Sequence, residues 1–184
     1  MQLPSSNAVR AFGSAIGIIF LSLFGAAWII LSLLNRNSAP VLYVPPVLIT
    51  LLLVWGASIA LRRNAAEARS QMDPSYRRKI GRVFGIINAL QWTLVFIAAK
   101  LLGRFDLNWL IVPVIVIIVG LHLFPLAKLF DRNLFYSAGV ALVVWAITIA
   151  LVSRTTLVPM ITAIGTGILL WITAAILLFQ SGIF

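Results

Sequence analysis

The sequence contains no cysteine and, among its 184 residues, four that are acidic. The lack of cysteine excludes disulfides and thiol chemistry. The four acids, Glu67, Asp73, Asp106 and Asp131, all lie outside the long apolar runs. We therefore expect no buried carboxylate of the kind that proton- and sodium-coupled transporters use as a relay. One histidine without cysteine is too few ligands for a metal site, and we expect neither a metal nor another cofactor.

Charged residues of either sign are also scarce. They make up 10% of the chain, whereas 62% is hydrophobic, and soluble domains are about one quarter charged. A soluble domain of this size leaves roughly a third of the unfolded chain's surface exposed to water after folding. This composition has too few polar residues to cover that exposed surface. Lipid is therefore expected to be the solvent for most of the chain.

Six apolar segments have the length of about 17–25 residues that a membrane-spanning helix needs. The run Ile111–Leu121 does not alternate apolar and polar residues as a barrel strand would. We predict an all-α integral membrane protein, a six-transmembrane-helix bundle that forms one domain over residues 1–184. The first run is longer than the core of a cleaved signal peptide. The predicted spans are residues 11–34, 42–61, 83–99, 109–127, 134–152 and 157–179.

The net charge of +10 is concentrated in the connection between the second and third spans. Its basic residues, set against Glu67 and Asp73, are Arg62, Arg63, Arg69, Arg77, Arg78, Lys79 and Arg82. Short basic loops stay in the cytoplasm, so we predict both termini cytoplasmic in a multi-pass protein of the plasma (cell inner) membrane. On this topology Arg10, Lys128 and Arg132 are also cytoplasmic, and Arg36, Lys100, Arg104 and Arg154 are outside.

The basic connection 62–82 has two interpretations. Its charge sets the topology and attracts anionic lipid headgroups, through Arg62, Arg63, Arg77, Arg78 and Lys79. Alternatively it is a specific site for a lipid or a protein partner. We expect no nucleic acid among its partners, because the charge lies beside membrane spans. Residues 64–72 are suited to extend the second helix, and Asp73 or Ser75 to cap the third after an Asp73-Pro74 turn.

Two weak patterns recur along the chain. Val-Pro stands near the start of the second, fourth and sixth spans, at Val44-Pro45, Val112-Pro113 and Val158-Pro159. The first and third spans begin with Gly13-x-x-x-Gly17 and Gly81-x-x-x-Gly85. One interpretation is three parallel helical hairpins around a pseudo-threefold axis; the other is chance in an apolar sequence. The glycine motifs favour close helix contacts, within the chain or in a homo-oligomer.

Few polar residues lie inside the spans. Asn88 and Gln91 share one face of the third span, and His122 lies near the end of the fourth. At 1.5 Å per residue all three lie roughly 6–12 Å from the cytoplasmic boundary, next to Trp92. We therefore predict a substrate-binding site at His122, Asn88, Gln91 and Trp92.

Each of these residues also has a structural interpretation. Asn88 and Gln91 are suited to join helices by hydrogen bonds. His122 is suited to act as a proton-sensitive gate, or to bond a backbone carbonyl that Pro125 frees. Thr162 and Thr166 are expected to bond back to their own helix.

No combination of residues indicates catalysis. Ser137 is the serine nearest to His122 along the chain, and it lacks an orienting acid and a Gly-x-Ser-x-Gly signature. We expect a protein that is not an enzyme. The favoured function is transport or channelling of a neutral, lipophilic or anionic solute without a carboxylate coupling site. The alternative is a non-transporting scaffold that binds lipid or a partner through residues 62–82.

Overall fold

The computed structural model describes residues 7–35, 38–71, 73–152 and 156–181. In these residues every regular element is helical, and six helices are long and apolar enough to cross a membrane. This confirms the prediction of an all-helical, multi-pass membrane protein. The helices are α1 (Asn7–Leu34), α2 (Val44–Gln71), α3 (Pro74–Arg104), α4 (Ile111–Phe130), α5 (Asn133–Val152) and α6 (Val158–Gln180).

The outer surface of the bundle is apolar. Leu52, Trp55, Phe96 and Leu151 each leave 64–75% of their surface uncovered. A soluble protein rarely exposes so continuous an apolar surface, whereas helices in a bilayer present such side chains to lipid. The exposed side chains therefore agree with the composition of the sequence.

The second and third helices extend beyond their apolar cores. α2 continues to Gln71 and α3 begins at Pro74, so most of the predicted connection 62–82 is helical. Asp73 caps α3, because its carboxylate accepts a hydrogen bond from the backbone N–H of Ser75 at 2.7 Å. We call the end of the bundle where α2 and α3 join the basic end.

The most buried helix is α6, which packs against α1, α2, α4 and α5. The least buried is α3, which packs mainly against α4. Each consecutive pair packs as a hairpin, but no extensive helix packing joins the first hairpin to the second. A pseudo-threefold arrangement requires three equivalent hairpins, and these three are not equivalent.

The closest contacts between helix backbones are made by glycines outside the predicted Gly-x-x-x-Gly motifs. A Cβ added to Gly167 of α6 would lie 2.6 Å from the carbonyl oxygen of Gly25 in α1. A Cβ added to Gly139 of α5 would lie 2.6 Å from the carbonyl oxygen of Gly120 in α4. At these two crossings a side chain of any size would push the backbones apart.

The glycines of the predicted motifs do not hold the described bundle together. Added Cβ atoms on Gly13, Gly81 and Gly85 would meet no described atom within 4 Å outside their own helix. Gly17 would make ordinary contacts, 3.5 Å from the ring of Phe135. Of the two alternatives for these motifs, the described residues therefore do not show close contacts within the chain, and contacts between subunits stay a prediction.

Candidate functional site

A cavity of about 400 Å³ lies between α1, α3 and α4 at the basic end of the bundle. We call it the α1–α3–α4 cavity. Its lining is mostly apolar and includes Phe12, Gly13, Phe20, Leu21, Phe24 and Trp28 of α1, Gly81 and Phe84 of α3, and Val119, Leu123, Leu126 and Phe130 of α4. Its volume lies in the range of about 300–1,000 Å³ that is typical of small-molecule sites.

Three of the four residues predicted as a binding site line this cavity: Asn88, Gln91 and His122. Gln91 is buried, with 9% of its surface exposed. The amide of Asn88 donates a hydrogen bond to the carbonyl oxygen of Phe84 at 2.8 Å, one turn back in its own helix. Asn88 therefore bonds within α3 through this donor, and this bond does not join two helices.

His122 is the most unusual of the three. Both of its ring nitrogens are buried, and neither has a hydrogen-bond partner among the described residues. The expected bond to a carbonyl freed by Pro125 is therefore not formed. A buried polar group without a partner costs about 1–3 kcal/mol, so a group that entered the cavity and bonded this imidazole would be bound favourably.

The fourth predicted residue, Trp92, does not line the cavity. Its ring is 48% exposed and packs beside Phe96, with 6.3 Å between the ring centroids. Successive residues of a helix are about 100° apart around its axis, so Trp92 does not lie on the same face as Gln91. Trp28 of α1 is the tryptophan that lines the cavity.

Arg132 and Ser14 contribute polar groups at the basic end of the cavity, and both were missed as site residues from the sequence. The guanidinium of Arg132 donates a hydrogen bond from Nη2 to Oγ of buried Ser14 at 2.6 Å. Arg132 follows Asp131, whose left-handed backbone (φ 51°) ends α4. An aspartate tolerates this conformation better than most residues, and the turn carries Arg132 back toward α1.

Other polar groups in the spans bond to backbone carbonyls, either in their own helix or in a neighbouring one. Thr162 and Thr166 donate to the carbonyl oxygens of Val158 and Thr162, each at 2.7 Å, which confirms that they bond back to their own helix. Trp145 donates to the Thr162 carbonyl at 3.2 Å. Trp171 donates to the carbonyl of Ser22 in α1 at 3.1 Å. These tryptophans are packing residues.

The serine considered for catalysis lies away from the cavity. Ser137 is exposed, and its hydroxyl donates to the carbonyl oxygen of Leu134 at 2.9 Å. It is not among the residues that line the cavity with His122. The geometry therefore gives no support to a Ser137–His122 pair.

The residues predicted to meet lipid headgroups lie at the basic end, on the polar extensions of α2 and α3. Arg62, Arg63, Arg78 and Lys79 are exposed. The side chain of Arg77 lies outside the described residues. The exposed positions are compatible with contacts to headgroups at the membrane surface.

Comparison of the chain with protein-family models, with curated proteins and with solved structures finds no match. The cavity and its lining are therefore the basis for a functional proposal.

Proposed function

We propose that the protein transports a lipophilic or amphipathic solute across the membrane through the α1–α3–α4 cavity. The observation that carries this proposal is the convergence of Asn88, Gln91 and unpartnered His122 on one otherwise apolar cavity. Polar side chains in membrane spans are costly and characteristically line solute paths. An apolar cavity with a few convergent polar groups is the usual form of a binding site for small molecules.

The weak packing between α1 and α3 supplies a route into the cavity. Phe20 of α1 and Phe24 of α1 line it and yet are 47% and 43% exposed. Across the gap, the ring of Phe20 meets Phe84 of α3 edge-on, with 6.2 Å between the centroids. We propose that the solute enters or leaves between these two helices, and that α3 is the helix that moves.

Cysteine labelling tests whether water and a water-soluble reagent reach the cavity. The chain is naturally free of cysteine, so Asn88→Cys, Gln91→Cys and His122→Cys need no altered background. We expect a membrane-impermeant maleimide to label each about tenfold faster than Trp55→Cys, because polar cavities in membrane proteins admit water. Trp55 is the matched control, since it is 65% exposed on the lipid face of α2.

If all three cavity positions were labelled as slowly as Trp55→Cys, water would not reach the cavity, which would contradict this expectation. The wild-type protein reconstituted in liposomes then reports transport itself. We expect a panel of fluorescent single-chain lipids to cross faster with the wild-type protein than with protein-free vesicles. An unchanged lipid distribution for every probe would reject the transport function.

The exposed basic residues support a second candidate function, a scaffold that binds anionic lipids or a partner. Arg62 and Arg78 lie on the polar extensions of consecutive helices. If this function is the correct one, Arg77→Gln/Arg78→Gln/Lys79→Gln should lower the affinity for acidic vesicles by roughly a hundredfold, because three basic residues at about 1 kcal/mol each contribute about 3 kcal/mol. His122→Ala and Asn88→Ala should leave that affinity unchanged. Vesicle co-sedimentation of the reconstituted protein measures both.

A further inference from the structure

The α1–α3–α4 cavity has two groups of polar residues in an otherwise apolar lining. Arg132 and Ser14 form the first group, at the basic end. Asn88 and Gln91 of α3 and His122 of α4 form the second group, which lies away from the basic end. The rest of the lining is apolar and consists mostly of phenylalanine, leucine and glycine. This pattern suits a molecule with one polar head and one apolar chain.

The charge of the lining selects the sign of the head. Among the described residues that line the cavity, Arg132 carries the one formal charge, and none is Asp or Glu. Asp131, its neighbour in the chain, is exposed and is not a lining residue. An anion at this end is therefore attracted, whereas a cation would be repelled by the guanidinium.

The chemistry of Arg132 suits a carboxylate or a phosphate. A guanidinium carries five N–H donors in a planar fork, so it can serve Ser14 and further acceptors together. The fork matches two oxygens of a carboxylate or phosphate, which bind it in a bidentate manner. Ser14, which is buried, fixes the position of the fork through the 2.6 Å hydrogen bond.

We propose that the cavity binds an anionic single-chain amphiphile, with its carboxylate or phosphate on Arg132 and its chain among the phenylalanines. This inference rests on the proposed function, whose solute it names by class. The anionic group has two sources, a free fatty acid or an acidic phospholipid that inserts one chain. The cavity of about 400 Å³ accepts one chain, and a second chain would stay in the bilayer.

Binding can be measured through Trp28, because that side chain lines the cavity. A bromine-labelled fatty acid added to the purified protein in a non-ionic detergent should quench the fluorescence of Trp28. The part of the quenching that disappears in Trp28→Phe reports the cavity. The brominated alcohol of the same chain length is the neutral probe, and a phosphatidic acid with one brominated chain tests the phospholipid source.

We expect the fatty acid to bind at least about tenfold more tightly than the alcohol, a factor that corresponds to about 1.4 kcal/mol. Arg132→Gln should remove this preference and leave the alcohol unaffected, whereas Arg132→Lys should keep part of it. Lys128→Gln is the matched control, because Lys128 is an exposed basic residue of the same end that does not line the cavity. It should bind the acid as the wild type does.

Equal binding of acid and alcohol by the wild-type protein would overturn the inference, as would equal loss in Arg132→Gln and Lys128→Gln. Binding of the alcohol by Arg132→Gln shows that this variant is folded. The second variant is Ser14→Ala, which keeps the charge of Arg132. If it binds the acid more weakly without losing the charge preference, the inference is supported. If the phosphatidic acid alone shows the preference, the phospholipid is the source.

This test separates the inference from the transport proposal. Arg132-dependent binding of the acid without any flux in liposomes would keep the binding site and reject transport. Flux without a preference for the acid would keep transport and reject the anionic substrate.

Discussion

Tethering α1 to α3 across the cavity should stop solute flux. In the double variant Phe20→Cys/Phe84→Cys, a short bismaleimide joins positions whose rings now lie 6.2 Å apart. If α3 must move away from α1 to admit the solute, the tether removes the motion that gates the path. We expect the rate at which an NBD-labelled lysophosphatidate crosses the bilayer to fall by about tenfold or more on cross-linking. Dithionite reduction of the outer-leaflet label measures this rate in liposomes.

The control for this experiment is a second aromatic pair at a packed interface. Phe124 of α4 and Tyr136 of α5 have ring centroids 6.0 Å apart, and their helices already touch at Gly120 and Gly139. Cross-linking Phe124→Cys/Tyr136→Cys should therefore leave the rate unchanged. Each variant is compared with itself before cross-linking, which separates the tether from the loss of the rings. An undiminished rate in a fully cross-linked α1–α3 pair would show that the two helices need not separate.

The sequence predicted the helices and much of the cavity because both depend on local patterns. Long apolar runs determine the spans, and the spacing of Asn88 and Gln91 puts both on one helical face. The opposite directions of consecutive spans brought His122 to the same depth. Trp92 was assigned to the site by its adjacency in sequence, although adjacent residues on a helix point in different directions.

The sequence does not predict that Arg132 lines the cavity, because the position of its side chain depends on the conformation of a turn. The predicted topology places it in a cytoplasmic connection, whereas in the structure the residue after left-handed Asp131 bonds to Ser14. The packing glycines were missed for a related reason. Gly25 and Gly167 are far apart in the chain, and their contact depends on α6 lying beside α1. A motif search finds glycines four apart on one helix and does not identify which helix lies opposite.

The two glycine crossings should be among the positions where the bundle tolerates a side chain least, because backbone meets backbone there. In Gly139→Val, the added Cβ would lie 2.6 Å from the Gly120 carbonyl oxygen and about as close to the ring of Phe124. Both neighbours are buried or held by packing, so α4 and α5 must separate. We expect the variant to lose about 1–3 kcal/mol of stability, and Gly167→Val to lose a similar amount at the α1–α6 crossing. Thermal unfolding in detergent, followed by size-exclusion chromatography, measures the loss.

Gly85→Val is the matched control, because its added Cβ would meet no described atom within 4 Å outside its own helix. Within one chain, a change at such a position should alter stability by no more than about 0.5 kcal/mol. Gly139→Val as stable as Gly85→Val would contradict the assignment of the crossing. If Gly85→Val instead lowered the apparent molecular mass of the purified protein, the Gly81-x-x-x-Gly85 face would be a contact between two copies of the chain. The control therefore also tests the homo-oligomer that this motif predicts, since a face open within the monomer is accessible to a second copy.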